Sequence, residues 1–387
     1  MRSIPYGRQD INQADIDAVV EVLRSDWLTQ GPTITRFEAA VANYCGAQHA
    51  VAVNSATAAL HIACMALDVG PGDWVWTSPN TFVASANCAI YCGAQVDFVD
   101  IDPCTYNLSV ERLAQKLAEA KAKGMLPKVV IPVHLCGQSC DMASIYALAQ
   151  EYRFRIIEDA SHAIGGKYKN ESVGNCRYSD ITVFSFHPVK IITTGEGGMS
   201  LTNDRVLANR MQCHRSHGIS DREQMQPRPA DEIWNYQQIR LGYNYRITDI
   251  QAALGLSQMR RLQEFVARRH QIAVRYDAAF ASLPVIIPSQ HPDTWSSYHL
   301  YPIRIRQSDC GKTQRQVYDT FLKARISVNL HYIPVYRQPF YEAMGFPAGY
   351  CRESELYHKE AISLPMFPTL TEVDQEKVIA TLTDALA

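Results

Sequence analysis

Residues 181–190 read ITVFSFHPVK, an apolar run with the composition of a buried strand followed closely by a lysine. A polar, glycine-rich stretch comes next, from Thr193 to Gly198. A lysine at the mouth of a sheet is partly desolvated, and desolvation lowers an amine pKa and makes the amine nucleophilic. The stretch therefore predicts a strand of a layered α/β domain that ends beside a reactive Lys190.

A second apolar run, FRIIED, ends in a carboxylate at Asp159. A lysine and an aspartate at the ends of two strands are the pair that pyridoxal phosphate requires. The lysine holds the aldehyde covalently, and the aspartate keeps the pyridine nitrogen protonated. The alternative is a surface lysine and a helix-capping aspartate, because single motif matches often arise by chance. The pair predicts Lys190 and Asp159 as catalytic residues.

Four motifs occur together in one order: NSATAAL (54–60), DASHA (159–163), SFHPVK (185–190) and GYNYR (242–246). This combination resembles the sugar-nucleotide aminotransferases of the DegT/DnrJ/EryC1/StrS family, and the resemblance runs from Tyr6 to residues 363–365. It implies fold type I, the aspartate aminotransferase fold. That fold has a large mixed-sheet α/β domain and a smaller C-terminal α+β domain, predicted here over residues 1–250 and 251–387.

Apolar runs and helical periodicity alternate through the first two-thirds of the chain. Strands are predicted over 49–54, 74–77, 95–100, 128–134, 155–159, 180–186 and 199–202, and later over 298–306 and 326–330. Helices are predicted over 56–67, 110–122 and 142–152. A continuous helical pattern without proline from Ile247 to about Phe280 predicts one long helix linking the domains. Residues 218–240 are polar and aperiodic, which predicts a surface loop.

Composition excludes several classes of protein. The 387 residues are 47% hydrophobic and 20% charged. The formal net charge of −2 provides no overall positive field that would attract nucleic acid or an anionic membrane. No apolar run is long enough to span a bilayer. The eleven cysteines are scattered without a pattern typical of zinc ligands, so we expect reduced cysteines, no metal and a cytoplasmic location.

The remaining cofactor residues rest on the resemblance. The NSATAA stretch lies where a strand turns into a helix, and free amides there suit a phosphate, although an ordinary N-cap would look the same. The resemblance implies that Ala56, Thr57 and the Ser185 hydroxyl bind the phosphate. It also implies the following roles: Phe82 stacks on the ring, unless it is a core residue; His162 lies beside the ring; Asn244 reaches the phosphate of a partner subunit.

The resemblance also implies a nucleotide-sugar site. Its predicted residues are Tyr6, Asp26, Trp27, Leu28, Thr29, His187, Asn329, Leu330, His331 and Tyr332. His187 could instead only complete its loop, and His331 and Tyr332 could instead form a strand end at the domain interface. The site is expected to be shared within a homodimer.

The implied activity is transamination. L-Glutamate would give its amino group to the cofactor, leaving 2-oxoglutarate and pyridoxamine phosphate. The amine would then pass to C4 of a UDP-linked 4-keto-6-deoxy-N-acetyl hexose, as in pseudaminic acid biosynthesis. The alternatives are a dTDP- or GDP-linked keto sugar as substrate, a sugar dehydratase, and a non-catalytic protein that binds the cofactor. Lys190 argues against the dehydratase, because dehydratases of the family carry histidine at that position.

Overall fold

The computed structural model describes residues 3–220, 234 and 236–387. Its helices are α1 (Gln13–Leu23), α2 (Pro32–Cys45), α3 (Ala56–Ala66), α4 (Ala84–Tyr91), α5 (Val110–Lys123), α6 (Met142–Tyr152), α7 (Arg205–Arg215), α8 (Asp249–Met259), α9 (Leu262–Phe280), α10 (Gln307–Cys310), α11 (Gln314–Lys323), α12 (Pro339–Glu342), α13 (Arg352–Glu360) and α14 (Glu372–Leu386).

The strands are β1 (His49–Val53), β2 (Trp74–Thr77), β3 (Gln95–Phe98), β4 (Val129–Ile131), β5 (Arg155–Asp159), β6 (Lys167–Tyr168), β7 (Glu171–Ser172), β8 (Ile181–Ser185), β9 (Gly198–Thr202), β10 (Ile219–Ser220), β11 (Gln237–Gln238), β12 (Val285–Ile286), β13 (Thr294–Trp295), β14 (Tyr301–Ile305) and β15 (Ala361–Leu364).

Seven strands form the main sheet in the order β1-β9-β8-β5-β4-β2-β3. Strands β3, β2, β4, β5 and β8 are parallel, and β9 runs antiparallel to both of its neighbours. Strand β8 is buried along its whole length, as expected for a central strand covered by helices on both faces. Because β5 and β8 are parallel neighbours, their carboxyl ends bring Asp159 and Ser185 to the same edge of the sheet.

A second sheet lies in the C-terminal part of the chain, in the order β12-β14-β15, with antiparallel pairing. Its hydrophobic core includes the second half of α9, with Ile272 and Tyr276, and the last helix, with Val378 and Leu382. The first half of α9 instead packs in the core of the main sheet, through Phe265. The domain boundary after residue 250 stays a prediction.

The chain returns to the main sheet near its C-terminus. Val335, Tyr336, Tyr341 and Cys351 are buried in the core cluster that contains Phe98 of β3. The rings of Tyr336 and Tyr341 each lie 5.9 Å from the ring of Phe98, measured between centroids. The core of the main sheet therefore draws on residues beyond 330 as well as on the first two-thirds of the chain.

Two predicted elements are wrong. The long helix is two helices, α8 and α9, interrupted at Arg260 and Arg261. Arg261 leaves helical geometry with φ −107° and ψ 5°, and its guanidinium pairs with the buried carboxylate of Asp15 in α1 at 2.7 Å. This ion pair ties the interruption to α1, which is far away in the sequence. No proline or glycine lies at the interruption, so the sequence carries no local signal of it.

The strand predicted over 326–330 is also absent from the described structure. Ile326 pairs with Ile4, whereas Asn329 pairs with Ser363 of β15, so two different neighbours are contacted at one residue each and no continuous ladder forms. Most of the loop predicted over 218–240 lies outside the described residues. Among the described residues no helix is long and apolar enough to cross a membrane.

All eleven cysteines are unpaired, and most are buried. Within the described part of the chain, no group of three or more His, Cys, Asp and Glu side chains could hold a metal ion.

Candidate active site

Lys190 lies in the loop that follows β8, where its backbone N–H donates to the carbonyl of His187 at 2.9 Å. The side chain is half-buried. Burial lowers the pKa of its amine from 10.5 to about 8, against the opposing effect of the nearby Asp159 carboxylate. No hydrogen bond or ion pair to the amine is found in the described part of the chain. Lys190 therefore presents an unpaired amine that is partly neutral near physiological pH.

Asp159 ends β5 and is buried, with only 4% of its surface exposed. Its Oδ1 accepts hydrogen bonds from the backbone N–H of Ser161 at 3.1 Å and from the Ser161 hydroxyl at 2.6 Å. Its Oδ2 accepts one from the Ser85 hydroxyl at 2.6 Å. These donors stabilise the carboxylate in a buried place and fix its orientation.

The N-terminus of α3 forms a small cradle. Ser55 caps the helix by accepting the backbone N–H of Ala58 at 3.1 Å, while the N–H groups of Ala56 and Thr57 have no acceptor among the described residues. Gly198 at the start of β9 lies directly against this turn, since a Cβ there would come within 2.5 Å of the Ala56 nitrogen. The paired strand residue of Gly198 is Ser185, whose side chain is buried. The cradle presents two free amides of the kind that bind a phosphate.

Asn244 lies beside this cradle in its own chain. Its carbonyl accepts the side-chain amide of Asn54 at 3.5 Å, and its backbone pairs with Ser216. The Asn244 side chain is exposed and makes no hydrogen bond within the described residues. The predicted contact with a partner subunit stays a prediction.

Phe82 is 59% exposed, which argues against the alternative that it is a core residue. It lies in the turn between β2 and α4, and its ring centroid is 6.4 Å from that of Tyr332. An exposed ring carried on an ordered turn next to a buried aspartate is available to stack on a planar ligand.

His162 is buried, and burial together with the positive charge of Lys190 lowers its pKa well below 6.5. Its Nδ1 accepts the backbone N–H of Cys136 at 3.2 Å, so in the neutral ring Nε2 carries the proton. Nε2 lies 3.3 Å from the Tyr332 hydroxyl and donates to it. The hydroxyl proton of Tyr332 is thereby left available for a ligand.

The predicted sugar-nucleotide residues near the C-terminal sheet lie together. The ring of Tyr6 is 5.5 Å from that of His331. Burial raises the pKa of the Tyr6 hydroxyl, and the nearby Asn329 side chain opposes this rise. His331 is buried with a pKa lowered to about 3, and its two ring nitrogens contact Ser363 and Asn329. Leu330 donates its N–H to Asn329 Oδ1 at 2.9 Å. Because both ring nitrogens of His331 already contact protein groups, we assign His331 to shaping this wall rather than to binding a ligand.

Within the described residues, no hydrogen bond or ring contact joins the other predicted substrate residues to this wall. Asp26, Trp27, Leu28 and Thr29 are exposed, and the backbones of Leu28 and Thr29 contact the start of α8. Trp27 lines a cavity of about 170 Å³ between α1, α2 and α8. No contact joins this segment to Lys190 within the described residues. His187 is exposed at the entrance of the Lys190 loop.

Two residues of the site were missed from the sequence. Ser161 follows Asp159 by two positions, and this Asp-x-Ser spacing is a local signal that could have been used. Ser85 is 74 residues from Asp159, and only the pairing of distant strands brings them together. No sequence pattern signals that contact.

The arrangement fits pyridoxal phosphate. Lys190 offers an unpaired amine for the aldehyde, and Asp159 Oδ2 retains an acceptor position for a ring nitrogen proton. Phe82 offers an exposed ring face, and the two free amides of α3 with the glycine beside them offer a phosphate site. Each part of the cofactor thus meets a matching group.

Comparison with known proteins gives consistent matches along the whole chain. The family model of the DegT/DnrJ/EryC1/StrS aminotransferases matches residues 9–383. The chain is 38% identical over 385 residues to the spore coat polysaccharide biosynthesis protein SpsC of Bacillus subtilis, covering 98% of this chain and 96% of that protein. It is 36% identical over 382 residues to the UDP-4-amino-4,6-dideoxy-N-acetyl-beta-L-altrosamine transaminase of Campylobacter jejuni, with 98% and 96% covered.

Solved structures agree. PseC of Helicobacter pylori, an aminotransferase involved in the biosynthesis of pseudoaminic acid, superposes with a TM-score of 0.89 at 29% identity, covering 100% of this chain and 99% of that one. Spr1654 of Streptococcus pneumoniae, described as a sugar aminotransferase, superposes in its PLP form with a TM-score of 0.90 at 30% identity, covering 100% and 99%. The same protein is known in a PMP form.

Proposed function

The chain belongs to the DegT/DnrJ/EryC1/StrS aminotransferase family, and from that premise we propose that it aminates C4 of a UDP-linked 4-keto-6-deoxy-N-acetyl hexose with L-glutamate as donor. The observation that carries the chemistry is the unpaired Lys190 amine, with its pKa lowered to about 8, at the sheet edge where Asp159 is buried. The fold type I architecture, the dependence on pyridoxal phosphate and the class of sugar aminotransferase, all expected from the sequence, are confirmed by the family and its structures.

Bound pyridoxal phosphate supplies an aldehyde that takes up an amino group and a ring that accepts electrons. We assign Lys190 to hold the aldehyde in the resting enzyme and, once displaced, to carry the proton to and from the reacting carbon. An amine with a pKa of about 8 can both take up and release a proton near neutral pH, because both of its protonation states are populated there. The Asp159 carboxylate would keep the ring nitrogen protonated.

Tyr332 is assigned to the sugar. Its hydroxyl oxygen accepts a hydrogen bond from His162 Nε2–H, so the Tyr332 hydroxyl can donate its own proton in a hydrogen bond to a substrate oxygen. Tyr6 and Asn329 lie next along the same wall. A neutral His162 suits this role, since a charged ring beside Lys190 would be repelled.

The choice of a UDP sugar follows from relatives. The Campylobacter jejuni transaminase, by its name, forms a UDP-linked 4-amino-4,6-dideoxy sugar, and PseC belongs to pseudoaminic acid biosynthesis. Both align along nearly the whole chain, so the substrate-facing segments are included. Pseudaminic acid biosynthesis is therefore the pathway that we propose, and the cytoplasmic location of the enzyme stays a prediction.

A second candidate substrate is another nucleotide-linked 4-keto sugar, for example a dTDP-linked one. SpsC, at 38% identity, is named for spore coat polysaccharide biosynthesis rather than for a UDP sugar. The amination chemistry at Lys190 would be the same, and only the nucleotide and the sugar would differ.

Incubation with L-glutamate and a panel of UDP-, dTDP- and GDP-4-keto sugars, followed by NMR of the products, tests the proposal. We expect a 4-amino product from the UDP sugar, with 2-oxoglutarate formed in equal amount. Turnover confined to dTDP or GDP sugars would support the second candidate. Bound cofactor without turnover of any keto sugar would overturn both.

We further propose a homodimer in which Asn244 of one subunit contacts the phosphate held by the other. The support is that the Asn244 side chain is exposed and without a hydrogen bond in its own chain, although its backbone lies near α3. Lys190→Ala and Asn244→Asp would each be inactive or badly impaired alone. If sites are shared, each mixed dimer has one intact site and one doubly damaged site. Random mixing of equal amounts makes about half of the dimers mixed, so about a quarter of full activity should return. No recovery would mean that each subunit carries a complete site.

A further inference from the structure

We propose that the hydroxyls of Thr81 and Ser85 form a relay that positions Asp159, and that Ser85 is a positioning residue for the reaction. The inference rests on the proposed role of Asp159 as the partner of the ring nitrogen. It adds that the orientation of this carboxylate is set by the segment 81–85, which also carries Phe82.

All three side chains of the relay are buried: Thr81 is 3% exposed, Ser85 0% and Asp159 4%. The Ser85 hydroxyl lies 2.6 Å from Asp159 Oδ2, and the Thr81 hydroxyl lies 2.7 Å from that of Ser85. The Thr81–Ser85 distance is ordinary for a hydroxyl hydrogen bond, and the Ser85–Asp159 distance has the length of a charge-assisted bond.

The proton count fixes the direction of the relay. A serine hydroxyl has one proton, and the carboxylate can only accept, so Ser85 donates to Asp159. Thr81 must then donate to Ser85. The other acceptor near Ser85 is the carbonyl of Phe82 at 3.4 Å, a weaker alternative. By donating to the Ser85 oxygen, Thr81 keeps the Ser85 hydroxyl proton directed at the carboxylate.

The two oxygens of Asp159 are consequently different. Oδ1 receives two donors, both from Ser161, which fill its two acceptor positions. Oδ2 receives only Ser85 and retains one position. Oδ2 is therefore the oxygen assigned to accept the proton of a ring nitrogen.

The relay also couples two parts of the site. Thr81 and Phe82 lie in the turn between β2 and α4 and Ser85 lies in the first turn of α4, whereas Asp159 ends β5. The Ser85 hydrogen bond thus joins the segment that carries Phe82 to the carboxylate, so the plane of the ring and the place of its nitrogen partner are set together. By donating to Asp159, Ser85 also stabilises the negative carboxylate, which favours the proton on the ring nitrogen.

The test uses the holoenzyme loaded with pyridoxal phosphate labelled with ¹⁵N in the ring, because the nitrogen chemical shift reports its protonation. Ser85→Ala should move this shift toward that of a neutral pyridine and lower kcat about 10- to 100-fold, the loss expected for a hydrogen bond to a charged group. KM for glutamate should change little. Ser78→Ala is the matched control, because Ser78 is equally buried in the preceding turn and contacts Asn80 rather than Asp159.

Asp159→Asn, measured in parallel, separates the two proposals. If it leaves the nitrogen shift unchanged, the role of Asp159 itself is wrong. If Asp159→Asn moves the shift and Ser85→Ala behaves like Ser78→Ala, the relay is refuted while Asp159 keeps its role. Should Ser85→Ala fail to fold, Thr81→Val removes the donor to Ser85 with little change of shape. It should move the shift in the same direction by a smaller amount, and no movement would equally refute the relay.

Discussion

The Lys190 amine should titrate far below an ordinary lysine in the apoenzyme. Burial lowers its pKa from 10.5 to about 8. At pH 7 about 10% of the amine is then neutral, roughly 300 times the fraction in an unperturbed lysine. Because the neutral form is the nucleophile, the rate of acylation at Lys190 should rise with pH and level off above about pH 8, well below the pH at which an ordinary lysine does.

The assay is brief labelling of apoenzyme with an amine-acylating reagent over a range of pH, with the extent at each lysine read by peptide mass spectrometry. The midpoint of the pH profile, rather than the absolute rate, gives the pKa. The Asp159 carboxylate raises the pKa of Lys190 and partly offsets burial, so Asp159→Asn should shift the midpoint lower still.

Asp68→Asn is the control, because Asp68 is exposed and pairs with Arg210. It should leave the Lys190 profile unchanged. The expectation would be refuted if the Lys190 midpoint lay near the pKa of an ordinary lysine, or if Asp159→Asn moved the Lys190 midpoint upward.

Three further predictions concern single residues. Borohydride reduction of the holoenzyme should place the pyridoxyl group on Lys190 by peptide mapping, and label on another lysine would contradict the assignment. Gly198→Ala should weaken cofactor binding at least tenfold in equilibrium titration, because its Cβ would lie 2.5 Å from the Ala56 nitrogen; unchanged affinity would show that the turn yields easily. Asp15→Ala should lower the free energy of unfolding by about 3 kcal/mol in urea, because it removes the buried carboxylate that pairs with the partly exposed Arg261 guanidinium, whereas the exposed Asp17→Ala should change it by under about 0.5 kcal/mol. Equal effects at the two positions would refute the role of that ion pair.

Much of the fold was accessible from local sequence. The strands that end at Asp159 and lead to Lys190 are short, apolar and bounded by polar residues, and they appear within a residue of their predicted bounds. Helix α3 begins at Ala56 as predicted, because Ser55 is a good N-cap. These features depend on residues close to one another in the chain.

The errors and omissions have a common cause. The interruption between α8 and α9 depends on the pairing of Arg261 with Asp15, and the missing strand depends on two different neighbours of Ile326 and Asn329. The contact of Ser85 with Asp159 likewise joins helix α4 to a strand that follows much later in the chain. None of these can be derived from periodicity, because each is decided by where distant segments meet.

The late return of the chain to the main sheet has a consequence for how the protein is made. Tyr336 and Tyr341 pack against Phe98, so the first strands reach the ribosome exit long before the residues that cover them. Until about residue 351 has been synthesised, the nascent chain presents an apolar surface around Phe98. A chain interrupted after residue 250 would keep that surface exposed, which makes it a natural binding place for chaperones during translation.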